Sequence, residues 1–385
     1  MMKLLVKNRI LTGIINTFLI VLISCNSTYS ESTEKADTKN QKIMLALLLD
    51  TSNSMDGLID QAKSQLWTIV NELAVAKCHD GARPEIKIAL FEYGNSRLPS
   101  SEGYIRMVTN LTDDLDEISE KLFSLKTNGG DEFCGQVIKR SIDQLEWSES
   151  DADLKMIFIA GNEPFTQGNY PYRSACKLSK EKGIIVNTIF CGDYDNGIRS
   201  FWKEGASITG GSYMAIQQDR KTVYIDTPYD KKIDKLNDDL NNTYIYYGNK
   251  GVAKKEMQIA QDRNAASYSQ ANKVKRAISK SSHAYKNKSW DLVDAAEEDE
   301  EAIAEVAEES LPTEMKGMNT PQRKSYVKKQ AEARKDIQQE IQKLSTKRKQ
   351  FIADNQPKGN KEGTLDHAMM KSIKEVAKTK QLKFE

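Results

Sequence analysis

The sequence predicts an α/β protein with a doubly wound, mostly parallel sheet, followed by a helical C-terminal region. Between residues 43 and 216, short apolar runs alternate with segments whose apolar residues recur every three or four positions, as strands and helices do in such a sheet. The first run, Ile43–Leu49, is continuously apolar, which is typical of a central parallel strand covered on both faces. From Val252 onward Glu, Lys, Gln and Ala dominate, so a second, more charged region follows the alternating strands and helices.

The elements of the first region can be assigned in order. The predicted strands are Ile43–Leu49, Ile86–Phe91, Tyr104–Val108, Met156–Ala160, Ile184–Gly192 and Ser212–Ile216. The predicted helices are Ser54–Ala76, Leu115–Leu125, one that starts near Phe133, Tyr172–Lys182 and Ile198–Ile208. The first helix has the clearest pattern, because its apolar residues between Leu58 and Leu73 fall on one face.

The second region predicts helices whose arrangement the sequence leaves open. Thr227–Gly248 begins with Thr at the N-cap and Pro at the first helical position, which predicts a last helix packed on the sheet. Ala296–Glu309 is acidic, and a short helix is predicted from Thr364. Thr320–Asn355 predicts a long helix with an approximate heptad seam that Arg334 and Arg348 interrupt. A coiled-coil hairpin and solvated helices are the two alternatives.

The N-terminal segment is predicted to be an export signal. Basic residues precede the apolar stretch Ile10–Ile23, which is too short to span a bilayer comfortably. The stretch closes with Leu22-Ile23-Ser24-Cys25, which resembles the bacterial lipobox. That resemblance implies cleavage before Cys25 and lipidation of its thiol; the alternative is an ordinary secretory signal with a chance Cys. Asn26 then favours the outer membrane, or a periplasm-facing position, for the exported, lipid-anchored protein.

Four regions are therefore predicted. Residues 1–25 are a lipoprotein signal peptide, residues 26–41 a flexible tether, residues 42–248 the sheet domain and residues 249–385 the charged helical region. Export makes disulfides possible among Cys78, Cys134, Cys176 and Cys191, whose spacings match no zinc pattern. Cys134 and Cys191 can lie at the same end of the sheet, and free buried thiols are the alternative.

Composition and motifs exclude several classes of function. The net charge of +1 over 385 residues gives no electrostatic case for nucleic-acid binding. The three histidines lie far apart in sequence, and neither a phosphate-binding loop nor a Gly-x-Ser-x-Gly nucleophile elbow is present. These observations argue against an enzyme and favour a binding or structural protein.

Oxygen-bearing side chains follow the first predicted strand. Asp50 ends the strand, and Ser52 and Ser54 follow at alternate positions on the loop that enters the first helix. In an open parallel sheet, ligands bind at the carboxyl ends of the strands near the switch point. Capping of the helix explains one serine, but it does not explain Asp50 at the end of a buried strand. Half of a metal site is the other interpretation.

The motif Asp50-Thr-Ser-Asn-Ser54 resembles the D-x-S-x-S element of the von Willebrand factor A domain, and the strand and helix order is similar to that fold. The resemblance implies a metal-ion-dependent adhesion site. Its second loop falls on Thr127–Gly135, where Asp131 takes the metal-facing position and Thr127 is the runner-up. The aspartate that the family carries after the fourth strand falls on Gly161 or Asn162, and Glu163 is near enough to compensate.

The resemblance also implies a function. Asp50 and Asp131 together supply two negative charges, and the hard oxygen donors suit Mg²⁺, Ca²⁺ or Mn²⁺. An open coordination position would accept a carboxylate from a protein partner. The predicted function is thus a cell-envelope lipoprotein that binds a protein through a divalent cation. The alternative is an envelope scaffold in which the C-terminal helices mediate assembly and the metal site is degenerate.

Overall fold

A computed structural model describes residues 41–355 and 363–384, and these residues belong to one compact unit. The predicted signal peptide, Cys25 and all but the last residue of the predicted tether lie outside the described residues. Among the helices in the described ranges, none combines the length and apolar character needed to cross a membrane.

Six strands form the main sheet, in the order β4-β3-β1-β5-β6-β7. Their bounds are β1 Lys42–Asp50, β3 Glu85–Tyr93, β4 Ile105–Thr112, β5 Leu154–Gly161, β6 Ile185–Cys191 and β7 Tyr213–Ile216, while β2, Ala76–Lys77, lies outside this sheet. All neighbours pair in parallel except β3 and β4. This confirms the doubly wound, mostly parallel sheet. The chain moves outward from β1 in both directions, so the switch point lies between β1 and its neighbours.

Two apolar cores cover the two faces of the sheet. Successive residues of a strand point to opposite faces, so Leu45, Leu47 and Leu49 enter one core while Ala46 and Leu48 enter the other. The helices of this region are α1 Asp56–Leu73, α2 Leu115–Ser124, α3 Cys134–Gln144, α4 Tyr172–Glu181, α5 Tyr194–Arg199 and α6 Trp202–Thr209. Residues of α1 and α2 belong to the first core, and residues of α3, α4 and α6 to the second.

The helix predicted at Ile198–Ile208 is two helices, because the chain breaks at Phe201. Phe201 has a φ of 71°, a left-handed conformation that a helix does not continue. The break lets Trp202 turn into the second core, where its ring lies 4.8 Å from that of Phe165 and its side chain is fully buried. Tertiary packing of one tryptophan thus overrides the local helical pattern.

The end of the C-terminal region packs against the sheet. Its elements are α7 Asp230–Asn241, α8 Gly251–Tyr268, α9 Gln270–Lys280, α10 Leu292–Glu298, α11 Ala302–Glu305, α12 Thr320–Asn355, α13 Leu365–Ala377 and β8 Lys383–Phe384. The helix α13 lies against α1, β5, β6 and β7, and β8 pairs with β2. The helix α7 packs against α9 and α12 instead. The helix predicted to pack on the sheet after Thr227 therefore packs mainly on other helices, and α13 is the C-terminal helix that lies against the strands.

The long helix α12 buries the predicted heptad seam inside this chain. Val327, Arg334, Ile341 and Arg348 recur every seven residues and are all buried. Their face packs on α7, α9, α10 and α11. The two arginines that interrupt the seam form buried ion pairs, Arg334 with Asp291 at 2.6 Å and Arg348 with Asp230 at 2.9 Å. The domain boundary at residue 248 stays a prediction, since helices from both sides of it share one packed unit.

His283, which follows α9, makes stability depend on pH. The pKa of His283 is lowered from 6.5 to about 4, chiefly by burial and also by the Arg83 charge, while a hydrogen bond to the Pro84 carbonyl opposes part of the change. As the pH falls from about 6.5 towards 4, the unfolded chain takes up a proton that the folded chain does not, so the free energy of unfolding decreases.

In the His283→Gln variant, we expect the free energy of unfolding to decrease by roughly 2 kcal/mol less on acidification than in the unsubstituted protein. This figure takes about 1.4 kcal/mol per pKa unit and allows for the partial exposure of His283. Urea unfolding of both proteins at about pH 7.5 and about pH 4.5 measures it. Equal pH dependence in the two proteins would rule out this role for the imidazole.

Candidate metal centre

Asp50 is a buried carboxylate at the switch point of the sheet. It is the last residue of β1, between β3 and β5, and its side chain is fully buried. Oδ1 accepts a hydrogen bond from the Ser52 backbone N–H at 2.7 Å. Among the described residues, nothing donates to Oδ2. A buried carboxylate oxygen without a donor is costly, and a bound cation is one way to satisfy it.

The two serines of the motif do not cap the helix that follows. Residues Asn53–Met55 form a 3₁₀ turn before α1, and no side-chain cap hydrogen bond is formed at Ser52 or at Met55, the N-caps of these two elements. The Ser52 and Ser54 hydroxyl oxygens instead lie 3.2 Å apart. The capping interpretation is therefore wrong, and both hydroxyls remain beside the strand end.

The end of β5 borders the same place. A Cβ on Gly161 would lie 3.0 Å from Asp50 Oδ2 and 2.5 Å from the Tyr93 hydroxyl, so this position has no room for a side chain. Asn162 Nδ2 lies 3.2 Å from Ser54 Oγ. The backbone of Glu163 is fixed because its carbonyl accepts a hydrogen bond from Trp202 Nε1 at 2.8 Å. The strand-five loop is thus held next to the serine loop.

Glu132 is the carboxylate of the second loop that comes closest to Asp50. A Cβ on Gly94 would lie 2.8 Å from both Asp50 Oδ1 and Glu132 Cγ, so the two carboxylates flank the same glycine. Glu132 is buried, whereas Asp131 is exposed. The prediction for Asp131 stays a prediction, and Glu132 is a site residue that the sequence reasoning missed.

The turn in the second loop explains this choice. Gly130 passes so close to β3 that a Cβ there would lie 2.5 Å from the Gly94 carbonyl oxygen. Asp131 and Glu132 are adjacent and both acidic, so residue type does not show which of them faces Asp50. The path of the turn before them decides it. The hydroxyl of Thr127, the runner-up, donates to the Asp56 carboxylate on the first turn of α1.

Like charges gather around Asp50. The pKa of Asp50 is raised to about 7, chiefly by burial; hydrogen bonds from Ser52 oppose the rise and the charge of Glu163 contributes to it. The pKa of Glu132 is also raised to about 7, chiefly by burial and in part by the charges of Asp50 and Glu163. Carboxylates with raised pKa values and nearby hydroxyls form a donor set that fits a hard divalent cation. In the described ranges, no group of three or more His, Cys, Asp or Glu residues forms a metal-holding cluster.

The cysteines of the described residues, Cys78, Cys134, Cys176 and Cys191, are free, buried thiols. Burial raises the pKa of Cys134 and Cys191 well above the usual value, and the Asp50 charge raises both further. Cys134 Sγ lies 4.0 Å from the Tyr93 hydroxyl. The structure therefore has the free-thiol alternative rather than a Cys134–Cys191 bridge.

Comparison with known proteins identifies the domain. Residues 45–200 match the family model described as von Willebrand factor type A domain. The chain therefore contains a von Willebrand factor type A domain, as the Asp50–Ser54 motif and the strand order predicted. A comparison with curated proteins found no match.

Solved structures of the same kind are similar to part of the chain. BatB from Bacteroides thetaiotaomicron is 16% identical over 45% of this chain and 90% of its own, with a TM-score of 0.34. The SpRpn10 VWA domain is 16% identical over 46% and 88%, with a TM-score of 0.35. Proximal thread matrix protein 1 from the mussel byssus, with a zinc-occupied MIDAS motif, is 13% identical over 47% and 43%, with a TM-score of 0.33. With TM-scores this low, the assignment rests on the family match and the strand order.

Proposed function

We propose that this chain binds a protein partner through a divalent cation held at the carboxyl end of β1. One observation carries the proposal: the buried Asp50 carboxylate keeps one oxygen without a donor among the described residues, where two serine hydroxyls and a second carboxylate meet. Such an arrangement is unfavourable without a cation and favourable with one.

The residues of the site have different roles in cation binding. Asp50 and Glu132 supply negative charge, and Ser52 and Ser54 supply neutral hydroxyl oxygens. This set suits Mg²⁺, Ca²⁺ or Mn²⁺. Asn162 and Glu163, on the half-buried loop after β5, bias what approaches the cation. Asp131, the ligand that the sequence predicts, is exposed, so we assign it at most a minor contribution to cation affinity. The cation, when bound, would attract a carboxylate of the partner. The proposal assigns no catalytic reaction to this site.

The proposal places the protein at the cell envelope. The support is the leader, in which basic residues, an apolar stretch and Leu22–Cys25 follow one another as in a bacterial lipoprotein signal. Lipidation of Cys25 would anchor the chain to a membrane without a spanning helix, and the outer membrane is favoured. The folded unit would then stand off the membrane on residues 26–41.

Asp50→Asn tests the cation site directly. Without metal, we expect the variant to unfold at the same temperature as the unsubstituted protein or higher, because an amide is cheaper to bury than an unpaired carboxylate. With Mg²⁺, Ca²⁺ or Mn²⁺ at a hundredfold excess over Kd, only the unsubstituted protein should gain about 2.7 kcal/mol of stability. Thermal unfolding with EDTA and with each cation measures both effects.

Two further arms keep the test clear. Asp60→Asn, an exposed change on α1, is the matched control and should behave like the unsubstituted protein. Equal cation-induced stabilisation in the Asp50→Asn variant would contradict the site.

Partner binding is tested separately: envelope proteins captured with Mg²⁺ should be lost with EDTA and with Asp50→Asn. Capture that needs neither metal nor Asp50 would contradict the adhesion role.

A further inference from the structure

A cavity of about 380 Å³ lies where the C-terminal helices meet α1. Its walls come from α1, residues 220–225, α9, the end of α12 and the start of α13. Its volume falls in the range of small-molecule sites, roughly 300–1,000 Å³. It shares no lining residue with the candidate metal centre.

The described lining residues of this cavity include five basic and two acidic side chains. The basic lining residues are Arg220, Lys221, Lys275, Arg348 and Lys349, and the acidic ones are Glu72 and Asp366. Glu72 already pairs with Lys374 at 2.8 Å. Lys221 and Lys349 are exposed, and no carboxylate of the described residues lies within ion-pair distance of either. Lys221 and Lys349 therefore give the cavity two ammonium groups that can bind an anion.

The walls between these charges are apolar. Ile278 is buried, Tyr224, Ile225 and Ile352 are half-buried, and all four line the cavity. Lys275 Nζ lies 5.4 Å from the centre of the Tyr224 ring and donates to Thr68 Oγ1 at 2.9 Å. Arg348 is buried and paired with Asp230. An apolar lining with a few fixed polar groups is the usual composition of a ligand site.

We propose that this cavity binds an amphiphilic organic anion, an acyl carboxylate with its head towards the Lys221 and Lys349 ammonium groups. A neutral apolar molecule would leave the Lys221 and Lys349 ammonium groups without a counter-charge, and inorganic phosphate would leave the apolar walls unfilled. An acyl carboxylate satisfies both, because its chain covers the isoleucines while its head stays at the charged opening.

Dodecanoate is the probe, and its binding to the purified protein is measured by isothermal titration calorimetry below its aggregation concentration. Dodecanol and dodecyltrimethylammonium have the same chain with a neutral or a positive head. We expect dodecanoate to bind at least about tenfold more tightly than either. Equal binding of all three, or no binding of dodecanoate, would overturn the proposal.

Variants locate the site. Ala353→Trp should block the opening, and Lys221→Glu with Lys349→Glu should weaken dodecanoate binding by at least about tenfold. Lys335→Glu, an exposed change on α12 outside the cavity, is the matched control and should bind as before. Thermal unfolding of each variant confirms that it is folded. Unchanged affinity in folded Ala353→Trp and in the double variant would place the ligand elsewhere.

Discussion

Removal of residues 364–385 is expected to abolish cooperative folding of the sheet domain. Large apolar side chains of this segment are buried in the first core, namely those of Leu365, Met369, Met370, Ile373 and Leu382. At roughly 1.5–3 kcal/mol each, their burial contributes about as much as the whole stability of a typical domain, roughly 5–15 kcal/mol. Circular dichroism during thermal unfolding of the truncated chain measures the effect. A cooperative transition near that of the full chain would contradict the role of α13.

Point substitutions on α13 give the same test in a protein that still folds. Ile373 is fully buried, so Ile373→Ala should lower the free energy of unfolding by about 2–5 kcal/mol. Lys371→Ala, an exposed change on the same helix, should stay within about 0.5 kcal/mol. The helix is also tied to the sheet by a hydrogen bond from the Ser372 hydroxyl to Asn187 Oδ1 at 2.6 Å.

Arg276→Ala is the second substitution with a large expected effect. Arg276 is fully buried on α9 and forms ion pairs with Asp116 of α2 at 2.8 Å and Asp262 of α8 at 2.6 Å. Its guanidinium also stacks 4.6 Å from the centre of the Trp67 ring on α1. One side chain therefore joins the C-terminal helices to the helices that cover the sheet.

Removal of this cation leaves two buried carboxylates with fewer partners. We expect the free energy of unfolding to fall by about 3–5 kcal/mol, measured by urea unfolding. Lys288→Ala is the control: its 3.0 Å pair with Glu298 is about half exposed and should contribute at most about 1 kcal/mol. An equal decrease in the free energy of unfolding in the two variants would contradict the claim that the buried Arg276 ion pairs stabilise the fold more than an exposed pair does.

Much of the sheet domain could be predicted because its signals are local. The run Ile43–Leu49 is buried on both faces of the sheet, as its continuous apolar pattern required. The C-terminal helix that packs on the sheet could not be predicted in the same way. Both α7 and α13 have an apolar face and a threonine near the start. The choice between them therefore depends on contacts such as Ser372–Asn187 and Leu365–Gln61, whose partners lie 185 and 304 positions apart.

The interruptions of the heptad in α12 show the same limit. Arg334 and Arg348 interrupt the apolar seam in the sequence, yet both are buried. Their acidic partners, Asp291 and Asp230, lie 43 and 118 positions away. A buried charge is tolerated only when such a partner is in place, and periodicity carries no information about it.

The candidate site divides along similar lines. Asp50, Ser52 and Ser54 lie within five consecutive residues, so the motif alone predicted that they come together. Glu132 reaches Asp50 only because the glycine turn at 129–130 packs against Gly94. That contact is tertiary, and the sequence reasoning selected the adjacent Asp131 instead.

Calorimetric titration of Glu132→Gln and Asp131→Asn with Mg²⁺, Ca²⁺ and Mn²⁺ tests the central claim most directly. The two variants lose the same charge at adjacent positions, so a difference between them reports geometry. We predict that the Glu132→Gln protein loses at least about tenfold in cation affinity, whereas the Asp131→Asn protein stays close to the unsubstituted protein. Undiminished affinity after Glu132→Gln, or no binding of any of the three cations by the unsubstituted protein, would contradict a cation site built on Asp50 and Glu132.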